Sequence, residues 1–348
     1  MQRRVSMLAA GGAQVRVGGF RRGAAPLLVG DAPPINLGIT RDRQLWQRCY
    51  AVMRNLLQRR NVRRATARAD VLLARNLEML VLAAAVRRPQ QRLVYECLDL
   101  HRLLLAKGIG ARLVQQVEAA LLARCDLVIV SSPAYGDHLR QQRYQGPVLL
   151  VENKLWGAAA PRPPARRHSE PWRIAWLGVL RCRRSLHLLR TIAIAADGRV
   201  EIVIAGRIAH ASIPDFDAVV AGCRHLRYIG PYQPAELPDI YGGADFAWTI
   251  DYYEAGLNSQ RLLPNRLYES LAHGVVPIAL AHVATGAWLT RYGVGVLVGD
   301  PAVELSSRLS NLDDRGYAVL ADAVRALPRE AVVAGAADAT ALVEALTG

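Results

Sequence analysis

Short apolar runs alternate with longer amphipathic segments along the chain. In the first half, runs rich in Val, Ile and Leu occur at 13–20, 69–75, 92–99, 125–132 and 146–153. Because these runs are apolar at most positions and helical patterns separate them, they predict a parallel sheet covered by helices on both faces. The first half is therefore predicted to be an α/β domain.

The same alternation restarts in the second half with greater regularity. Six apolar runs follow one another, at 173–178, 200–206, 225–230, 245–250, 275–280 and 294–299. The helical segments between them include 185–196, 236–244 and 265–274. Regular alternation of strand and helix predicts a doubly wound parallel sheet.

The segment between the halves, 155–171, contains four prolines and no periodicity, which is typical of a linker. We therefore predict an amino-terminal domain over 1–154 and a carboxyl-terminal domain over 172–348. The chain opens with an amphipathic helical pattern at 2–10. Because Rossmann-like domains usually open with a strand, the first strand of the amino-terminal domain is expected to be missing.

Composition excludes several classes of protein. The 348 residues are 52% hydrophobic, yet no apolar run reaches the roughly 18 residues that a membrane-spanning helix needs. The five cysteines are far apart and form no CxxC pair, so neither a disulfide framework nor a zinc site is indicated. A reducing, cytoplasmic location fits this pattern best.

The formal net charge of +15 is concentrated near the amino terminus, where residues 1–70 contain fourteen arginines and three aspartates. Within this region, 43–60 predicts a helix with arginines on its other faces and one apolar face that consists of Leu45, Trp46, Cys49, Met53, Leu56 and Leu57. Such a helix suits core packing with a basic rim, which we favour, or an anionic membrane surface. No interleaved aromatic and basic pattern or helix-turn-helix is present, so no nucleic-acid partner is expected.

Candidate ligand-binding residues follow the strands of the second half, because open α/β sheets bind ligands at the carboxyl ends of their strands. Gly178 precedes Arg181 and Arg184 at a predicted helix start, and Arg207 follows the next strand. A glycine turn, helix amides and arginines together suit a diphosphate. Solvation of a loop explains any one of these arginines equally well, but their recurrence at two strand ends favours phosphate.

The segment 264–280 carries the most information. Asn265 is predicted to cap a helix that Gly274 ends, and Glu269 lies in its first turns. Its carboxylate could hold the two hydroxyls of a ribose, or could only be a favourable charge near a helix amino terminus. Tyr232 follows another strand of the same domain and is a further candidate for ligand binding.

The ordered series RIAWLGVLR, VEIVIAGR, LRYIGPYQPAELPDIYGGADFAW and LLPNRLYESLAHGVVPIA resembles the carboxyl domain of GT-B glycosyltransferases, especially the retaining family 4, also called group 1. The amino half, through LLARNLEML, VYECLDLHR and VENK, resembles a subgroup associated with exopolysaccharide assembly. The matches span most of the chain. They imply an α/β fold of two Rossmann-like doubly wound domains that face each other across a cleft.

The resemblance also implies roles for individual residues. Arg181 and Arg184 would bind the donor diphosphate, and Glu269 would bind the ribose. The family's second glutamate, eight residues before Glu269, is replaced here by Arg261. The candidate replacements in contact with the donor sugar are Glu254, Asn258 and Ser259.

On the acceptor side, such enzymes place an acid or a histidine at a strand end, and VYECLDLHR supplies Asp99 and His101 there. Asp99 would act as a base or stabilise an oxocarbenium ion, and His101 would donate to sugar or phosphate. Alternatively, Asp99 caps the next helix and His101 packs within it.

The expected activity is transfer of a hexosyl group from a UDP-sugar or GDP-sugar to a glycan or polyprenyl-linked acceptor during exopolysaccharide synthesis. The nucleotide sugar is a co-substrate, and no other cofactor is expected. No metal site is expected either, because arginines outnumber the acids at the candidate diphosphate site. The resemblance implies retention of configuration. A nucleotide-sugar epimerase of the same fold and a basic nucleic-acid-binding protein are the alternatives.

Overall fold

The chain forms two compact units of helices and strands. The computed structural model describes residues 2–21, 23, 28–30, 32–40, 45–100, 102–106, 108–157 and 171–348. Unit 1 comprises Met1–Glu152 and Ala334–Gly348, and unit 2 comprises Asn153–Val333. Each unit is α/β, as the sequence predicted.

In the part of unit 1 that the structure describes, six strands and seven helices precede the carboxyl-terminal segment. The strands are β1 (Gly18–Arg21), β2 (Ile35–Ile39), β3 (Val71–Ala74), β4 (Arg92–Cys97), β5 (Leu127–Val130) and β6 (Val148–Leu150). The helices are α1 (Gln2–Ala10), α2 (Leu45–Leu57), α3 (Arg59–Ala65), α4 (Leu77–Val86), α5 (Arg102–Leu105), α6 (Ile109–Leu122) and α7 (Pro133–Gln141).

The main sheet of unit 1 has the order β3-β4-β5-β6 with every pair parallel, and β1 and β2 form a separate parallel pair. All four residues of β5 are buried, which explains its uninterrupted apolar sequence. Only the end of the predicted strand 13–20 is extended, as β1. Strand β2 was missed because its sequence, INLGI, has a polar residue and a glycine inside the apolar pattern.

Unit 2 contains a six-stranded sheet covered by helices. Its strands are β7 (Leu155–Trp156), β8 (Trp172–Leu177), β9 (Val200–Ala205), β10 (Leu226–Tyr228), β11 (Phe246–Trp248), β12 (Val276–Leu280), β13 (Val296–Val298) and β14 (Val333–Ala334). Its helices are α8 (Arg183–Ala195), α9 (Phe216–Ala221), α10 (Leu237–Gly242), α11 (Asn265–Ala272), α12 (Ala284–Tyr292), α13 (Pro301–Ser310) and α14 (Asp314–Ala326).

The sheet of unit 2 has the order β10-β9-β8-β11-β12-β13, and every neighbouring pair is parallel. All six strands predicted for the second half are confirmed. The direction in which strands are added reverses between β8 and β11. In doubly wound sheets this reversal is the point at which ligands bind, because the loops that leave the two strands diverge to opposite faces.

Aromatic side chains pack in the centre of unit 2. The ring centres of Trp172 and Phe246 lie 5.8 Å apart, and the Tyr317 ring lies 4.9 Å from Trp172 and 5.5 Å from Phe246. Two of the three pairs are edge-to-face, a geometry that adds stability beyond the buried area. This cluster fixes β8 against β11, the two strands that border the reversal.

The carboxyl terminus departs from the predicted domain 172–348. The last helix, α15 (Ala336–Thr347), belongs to unit 1 and packs against α1. A Cβ atom at Gly11, directly after α1, would collide with the carbonyl oxygen of Ala339 in α15, so glycine is needed for this close approach. Local sequence patterns do not report such a long-range contact.

The predicted linker 155–171 lies largely outside the described residues. Its first two residues form β7, which pairs with β14, and the Leu155 amide donates to the Val332 carbonyl at 2.9 Å. The start of this segment is therefore part of unit 2. The predicted strand ahead of residue 1 stays a prediction.

Candidate functional site

Three glycine turns follow three neighbouring strands of unit 2. Gly178 comes directly after β8, Gly206 comes directly after β9, and Gly230 comes two residues after β10. Their φ angles are positive, at 118°, 137° and 94°. A Cβ atom at Gly206 would overlap the carbonyl oxygen of Gly178. The two turns are therefore in backbone contact, which brings the loops after β8 and β9 together at the edge of the sheet.

The loop after β8 leads directly into α8, whose cap is Cys182. The Cys182 sulfur accepts a hydrogen bond from the Ser185 amide at 3.4 Å. No acidic residue occurs in the first turn of α8, so the positive end of its dipole is not neutralised from within the helix. Amide groups in this position suit an anion.

Arg183, at the start of α8, is held by a carboxylate. Its guanidinium donates two hydrogen bonds to Asp215, from Nε to Oδ1 at 3.0 Å and from Nη2 to Oδ2 at 2.9 Å. His187 Nε2 lies 2.7 Å from the same carboxylate. These contacts, led by the hydrogen bond from Arg183, lower the pKa of Asp215 to about 2. Arg183 is thereby directed towards the α9 side of the helix.

The two predicted phosphate-binding arginines face the opposite way. Arg181 lies over the ring of Tyr253, with its guanidinium carbon 4.4 Å from the ring centre, and Arg184 lies over Tyr252 at 4.1 Å. Both tyrosines belong to the loop after β11. The arginines after β8 therefore reach across the strand reversal to the loop after β11.

The loop after β11 is stabilised from within. The Asp251 carboxylate accepts hydrogen bonds from the Tyr253 amide at 2.9 Å and from the Ser259 hydroxyl at 2.6 Å. The Ser259 oxygen in turn accepts the Glu254 amide at 2.9 Å. Ser259, predicted to contact the sugar, thus also maintains the shape of this loop, and Asn258 is buried beside it.

Helix α11 begins one residue earlier than the capping prediction requires. Pro264 occupies the cap position with φ of −72° and ψ of 148°, and Asn265 is the first helical residue, with an exposed side chain. The prediction that Asn265 caps the helix is wrong, because a cap residue must itself be non-helical. Gly274 follows the helix with φ of 78°, as predicted.

Arg266 connects α11 to the end of β11. Its Nη2 donates to the Ile250 carbonyl at 2.9 Å and lies 3.7 Å from Asp251 Oδ2. The Nε atom is buried and has no hydrogen-bond partner among the described residues. A donor in this position is available to an acceptor brought by a ligand.

Glu269 lies on the next turn of α11 and is half-buried. Burial and the negative charge of Glu269 raise the pKa of Tyr232 to about 12, against the opposing effect of Arg266. The pKa of the fully buried Tyr241 is raised well above its ordinary value by the same causes. The charge of Glu269 therefore disfavours the ionised form of both tyrosines.

The loop after β11 contacts both Arg181 and Arg266. Arg181 rests on Tyr253, while Arg266, one turn before Glu269, bonds to Ile250. Arg181 and Arg266 thus both contact the segment 249–253, which follows β11 at the strand reversal. The exposed Arg207 leaves β9 at the neighbouring strand end, and its carbonyl accepts the Leu180 amide at 2.9 Å.

In unit 1 the candidate residues follow β4. Asp99 is exposed in the loop after this strand, and His101 lies outside the described residues. Glu96, the other acid of this segment, is buried between two arginines: Arg4 Nε donates to it at 2.8 Å and Arg75 Nε at 2.6 Å. Glu96 thus joins α1, β3 and β4 through an ion-paired cluster.

Unit 1 contains a second buried acid, Glu118, on α6. The side chain is fully buried, and neither carboxylate oxygen has a hydrogen-bond partner among the described residues. Burial raises its pKa to about 7. Burial, with a smaller contribution from the Glu118 carboxylate, raises the pKa of Cys97, at the end of β4, above its ordinary value.

Within the described ranges, no group of three or more His, Cys, Asp and Glu side chains is arranged to hold a metal ion. The positive charge at the strand reversal of unit 2 comes from arginines. Of the acids there, Asp251 lies 3.7 Å from Arg266, and Glu269 follows Arg266 by one turn of α11.

Comparisons with known proteins agree with this architecture. No family model matches the chain. The sequence is 40% identical over 342 residues, 93% of this chain and 84% of its relative, to the succinoglycan biosynthesis protein ExoL of Rhizobium meliloti (strain 1021).

Two solved structures resemble nearly the whole chain. Sucrose-phosphate synthase from Thermosynechococcus elongatus matches with a TM-score of 0.70 and 18% identity, over 98% of this chain and 91% of that one. HepE from Anabaena, solved with UDP and glucose, matches with a TM-score of 0.68 and 14% identity, over 99% and 94%. At these identities the likeness concerns the fold, which is that of two Rossmann-like units.

Proposed function

The chain belongs to the family of the succinoglycan biosynthesis protein ExoL and has the GT-B fold, and from this premise we propose that it is a hexosyltransferase of exopolysaccharide synthesis. The donor is a nucleotide sugar, UDP-linked or GDP-linked. The acceptor is a glycan or a polyprenyl-linked glycan. Donor binding falls to unit 2 and acceptor activation to unit 1.

The observation that carries this proposal is the position of Arg181 and Arg184 at the strand reversal of unit 2. Both guanidinium groups lie over tyrosines of the loop after β11, and Arg183 between them in sequence is bound to Asp215. Two arginines and a helix amino terminus offer a diphosphate several charge-assisted hydrogen bonds. Glu269, one turn after Arg266 on α11, is suited to accept hydrogen bonds from the two hydroxyls of a ribose.

Chemically, breaking the bond between sugar and diphosphate leaves negative charge on the departing phosphate oxygen. Arg181, Arg184 and the amide groups of α8 would stabilise that charge, which is the step at which fixed donors lower a barrier most. The reaction is therefore proposed to proceed without a metal ion. Tyr232, Arg207, Asn258 and Asn265 remain proposed donor contacts, with Gly178 providing the close backbone approach.

On the acceptor side, Asp99 is proposed to act as a base or to stabilise positive charge on the sugar, and His101 to donate a hydrogen bond. Retention of anomeric configuration is proposed from the family resemblance. Asp99 is supported by its exposure in the loop after β4, a position from which a carboxylate can reach a bound substrate.

We propose a cytoplasmic location, peripheral to the inner face of the cell membrane. Among the described residues, no helix has both the length and the apolar character needed to cross a bilayer. All five cysteines are free thiols, which suits a reducing compartment. The basic amino-terminal region would provide the attraction to anionic lipid.

The test is a thermal-shift panel of UDP, GDP, ADP and their sugar conjugates against the wild-type protein, Glu269→Ala and the exposed control Glu330→Ala. One nucleotide family should raise the melting temperature of the wild type and of the control, and should fail to raise that of Glu269→Ala. Stabilisation by duplex DNA alone would overturn the proposal in favour of a nucleic-acid-binding protein. Conversion of a nucleotide sugar without any acceptor would instead identify an epimerase.

A further inference from the structure

Helix α2 in unit 1 has its large apolar side chains on the solvent side. Trp46, Tyr50, Met53 and Leu57 are 70%, 66%, 55% and 83% exposed. Their spacing of four, three and four residues places them in one stripe along the helix. With a rise of 1.5 Å per residue the stripe is about 16 Å long.

The opposite face of α2 makes the contacts with unit 1. Ala51 and Asn55 are buried, and the Asn55 side-chain amide donates to the Leu37 carbonyl of β2 at 2.8 Å. Arg48 lies 3.4 Å from Glu78 of α4. The expectation that the apolar residues of this helix pack in the core is therefore wrong, because the helix is fixed through polar and small residues instead.

Positive charge adjoins one end of the stripe. Helix α3 starts two residues after Leu57, has the sequence RRNVRRA and buries none of its residues. Its four arginines are all exposed, namely Arg59, Arg60, Arg63 and Arg64. From residue 45 to residue 69 the chain contains seven arginines and no acidic residue.

We infer that α2 and α3 form a docking surface for an anionic lipid bilayer, in which the stripe of Trp46, Tyr50, Met53 and Leu57 enters the interface and the arginines of α3 bind lipid phosphates. An amphipathic helix lying in the plane of a membrane has this division, with an apolar face submerged by about 5–10 Å and basic side chains at headgroup level. Trp and Tyr favour that depth because each has an apolar body and a polar group.

Two other occupants fit the surface less well. A second copy of the chain would need a larger area, because stable dimers bury roughly 20–30 residues on each side, whereas the stripe has four. A nucleic acid would use the arginines but would leave Met53 and Leu57 in water. The charge of α3 also repels an identical basic surface and attracts anionic lipid.

The surface deepens the proposed function by naming the partner of unit 1, yet it is tested without nucleotide or acceptor. The assay is co-sedimentation with vesicles of equal parts phosphatidylglycerol and phosphatidylcholine, compared with phosphatidylcholine alone. Three variants are needed: serine at all four stripe positions, glutamine at the four α3 arginines, and a control with serine at Val303 and Val319, which are exposed on unit 2.

The wild type and the control should bind the anionic vesicles equally. The glutamine variant should bind about fivefold less for each arginine removed, since one basic residue near such a surface contributes about 1 kcal/mol. The serine variant should lose most binding at every salt concentration. Anionic vesicles should also shift the tryptophan emission of the wild type to shorter wavelength, and Trp46→Phe should abolish most of that shift.

Equal binding to both vesicle types, no binding, or equal losses in the control and the stripe variant would overturn the docking surface. So would a concentration-dependent dimer that the serine variant abolishes, or binding of duplex DNA that requires the stripe. Each variant is also tested for its nucleotide thermal shift. A nucleotide thermal shift without vesicle binding would contradict the docking surface and leave the transferase proposal standing. Vesicle binding without any nucleotide thermal shift would support the docking surface and contradict the transferase proposal.

Discussion

Arg184, at the start of α8, lies over the ring of Tyr252, with 4.1 Å between its guanidinium carbon and the ring centre. Arg181 has the same relationship with Tyr253 at 4.4 Å. The two contacts join the loops after β8 and β11, which leave the sheet on either side of its reversal. A guanidinium that lies over an aromatic ring can still donate hydrogen bonds, because its N–H groups point outward in the plane of the guanidinium itself.

Alanine substitutions at the three arginines of this region should separate their roles. Arg181→Ala and Arg184→Ala should each weaken nucleoside-diphosphate binding by roughly tenfold to a hundredfold, because a hydrogen bond to a charged group is worth about 1.5–3 kcal/mol. Arg183→Ala, whose guanidinium is bound to Asp215, should change the Kd by less than about threefold. Isothermal titration with the stabilising nucleotide measures all three, and equal losses would show that the pairing with Asp215 does not withdraw Arg183 from the site.

The tyrosines should act by positioning the arginines. Tyr252→Leu and Tyr253→Leu should each raise the Kd of the nucleotide about twofold to fivefold, which corresponds to the roughly 0.5–1 kcal/mol of an exposed cation–π contact. Tyr252→Phe and Tyr253→Phe keep the ring and should bind as the wild type does. If the phenylalanine variants lose as much affinity as the leucine variants, the hydroxyl groups bind the ligand directly.

Gly206→Ala and Gly178→Ala together measure how much the backbone contact between the two glycines affects the free energy of unfolding. Gly206→Ala combines a positive φ angle with a clash against the Gly178 carbonyl oxygen, whereas a Cβ atom at Gly178 meets nothing within 4 Å. We expect Gly206→Ala to lower the free energy of unfolding by at least about 3 kcal/mol, and Gly178→Ala to lower it by about 1–2 kcal/mol through its φ angle alone. Urea unfolding followed by circular dichroism gives both values. Similar losses would mean that the backbone contact relaxes without cost.

Glu118 predicts a pH dependence of stability. Its pKa is raised by burial from 4.5 to about 7, so between these values the folded protein holds a proton that the unfolded chain has released. The free energy of unfolding should therefore fall as pH rises from about 4.5 to about 7. Glu118→Gln removes this dependence and should be the more stable protein at pH 8, by up to about 3 kcal/mol.

The buried Glu96 supplies the opposite control for that experiment. Its carboxylate is bound by Arg4 and Arg75, so Glu96→Gln should destabilise the protein at pH 8, by about 3 kcal/mol, because the buried Arg4 and the half-buried Arg75 lose their charged partner. Thermal melts of the two variants across pH 4.5–8 make the comparison. A loss of stability in Glu118→Gln at pH 8 would indicate that Glu118 is ionised and bonded in the folded protein.

Local pattern was enough to predict the strands of unit 2. Strand β8, with the sequence WRIAWL, is buried at five of its six positions, and all five of these residues are apolar, as burial on both faces requires. The end of α11 at Gly274 was also predictable, because a positive φ angle after a helix favours glycine. Each of these features depends on a few neighbouring residues.

Features that depend on distant residues were not predictable. Arg183 and Asp215 are 32 positions apart in the chain, so the sequence does not distinguish Arg183 from Arg184. Helix α15 packs on unit 1 although it follows the whole of unit 2. The periodicity of α2 reveals an apolar stripe but does not say whether protein or water lies against it, which is why core packing was expected there.

Arg181, Arg184 and Glu269 are proposed to form one donor site at the strand reversal of unit 2. The most direct measurement is a crystal structure of the protein with the nucleoside diphosphate that stabilises it. The diphosphate should lie at the start of α8 within hydrogen-bond distance of both arginines, and the ribose hydroxyls should donate to Glu269. A nucleotide bound elsewhere, with both guanidinium groups unengaged by phosphate and Glu269 facing only protein, would contradict the claim.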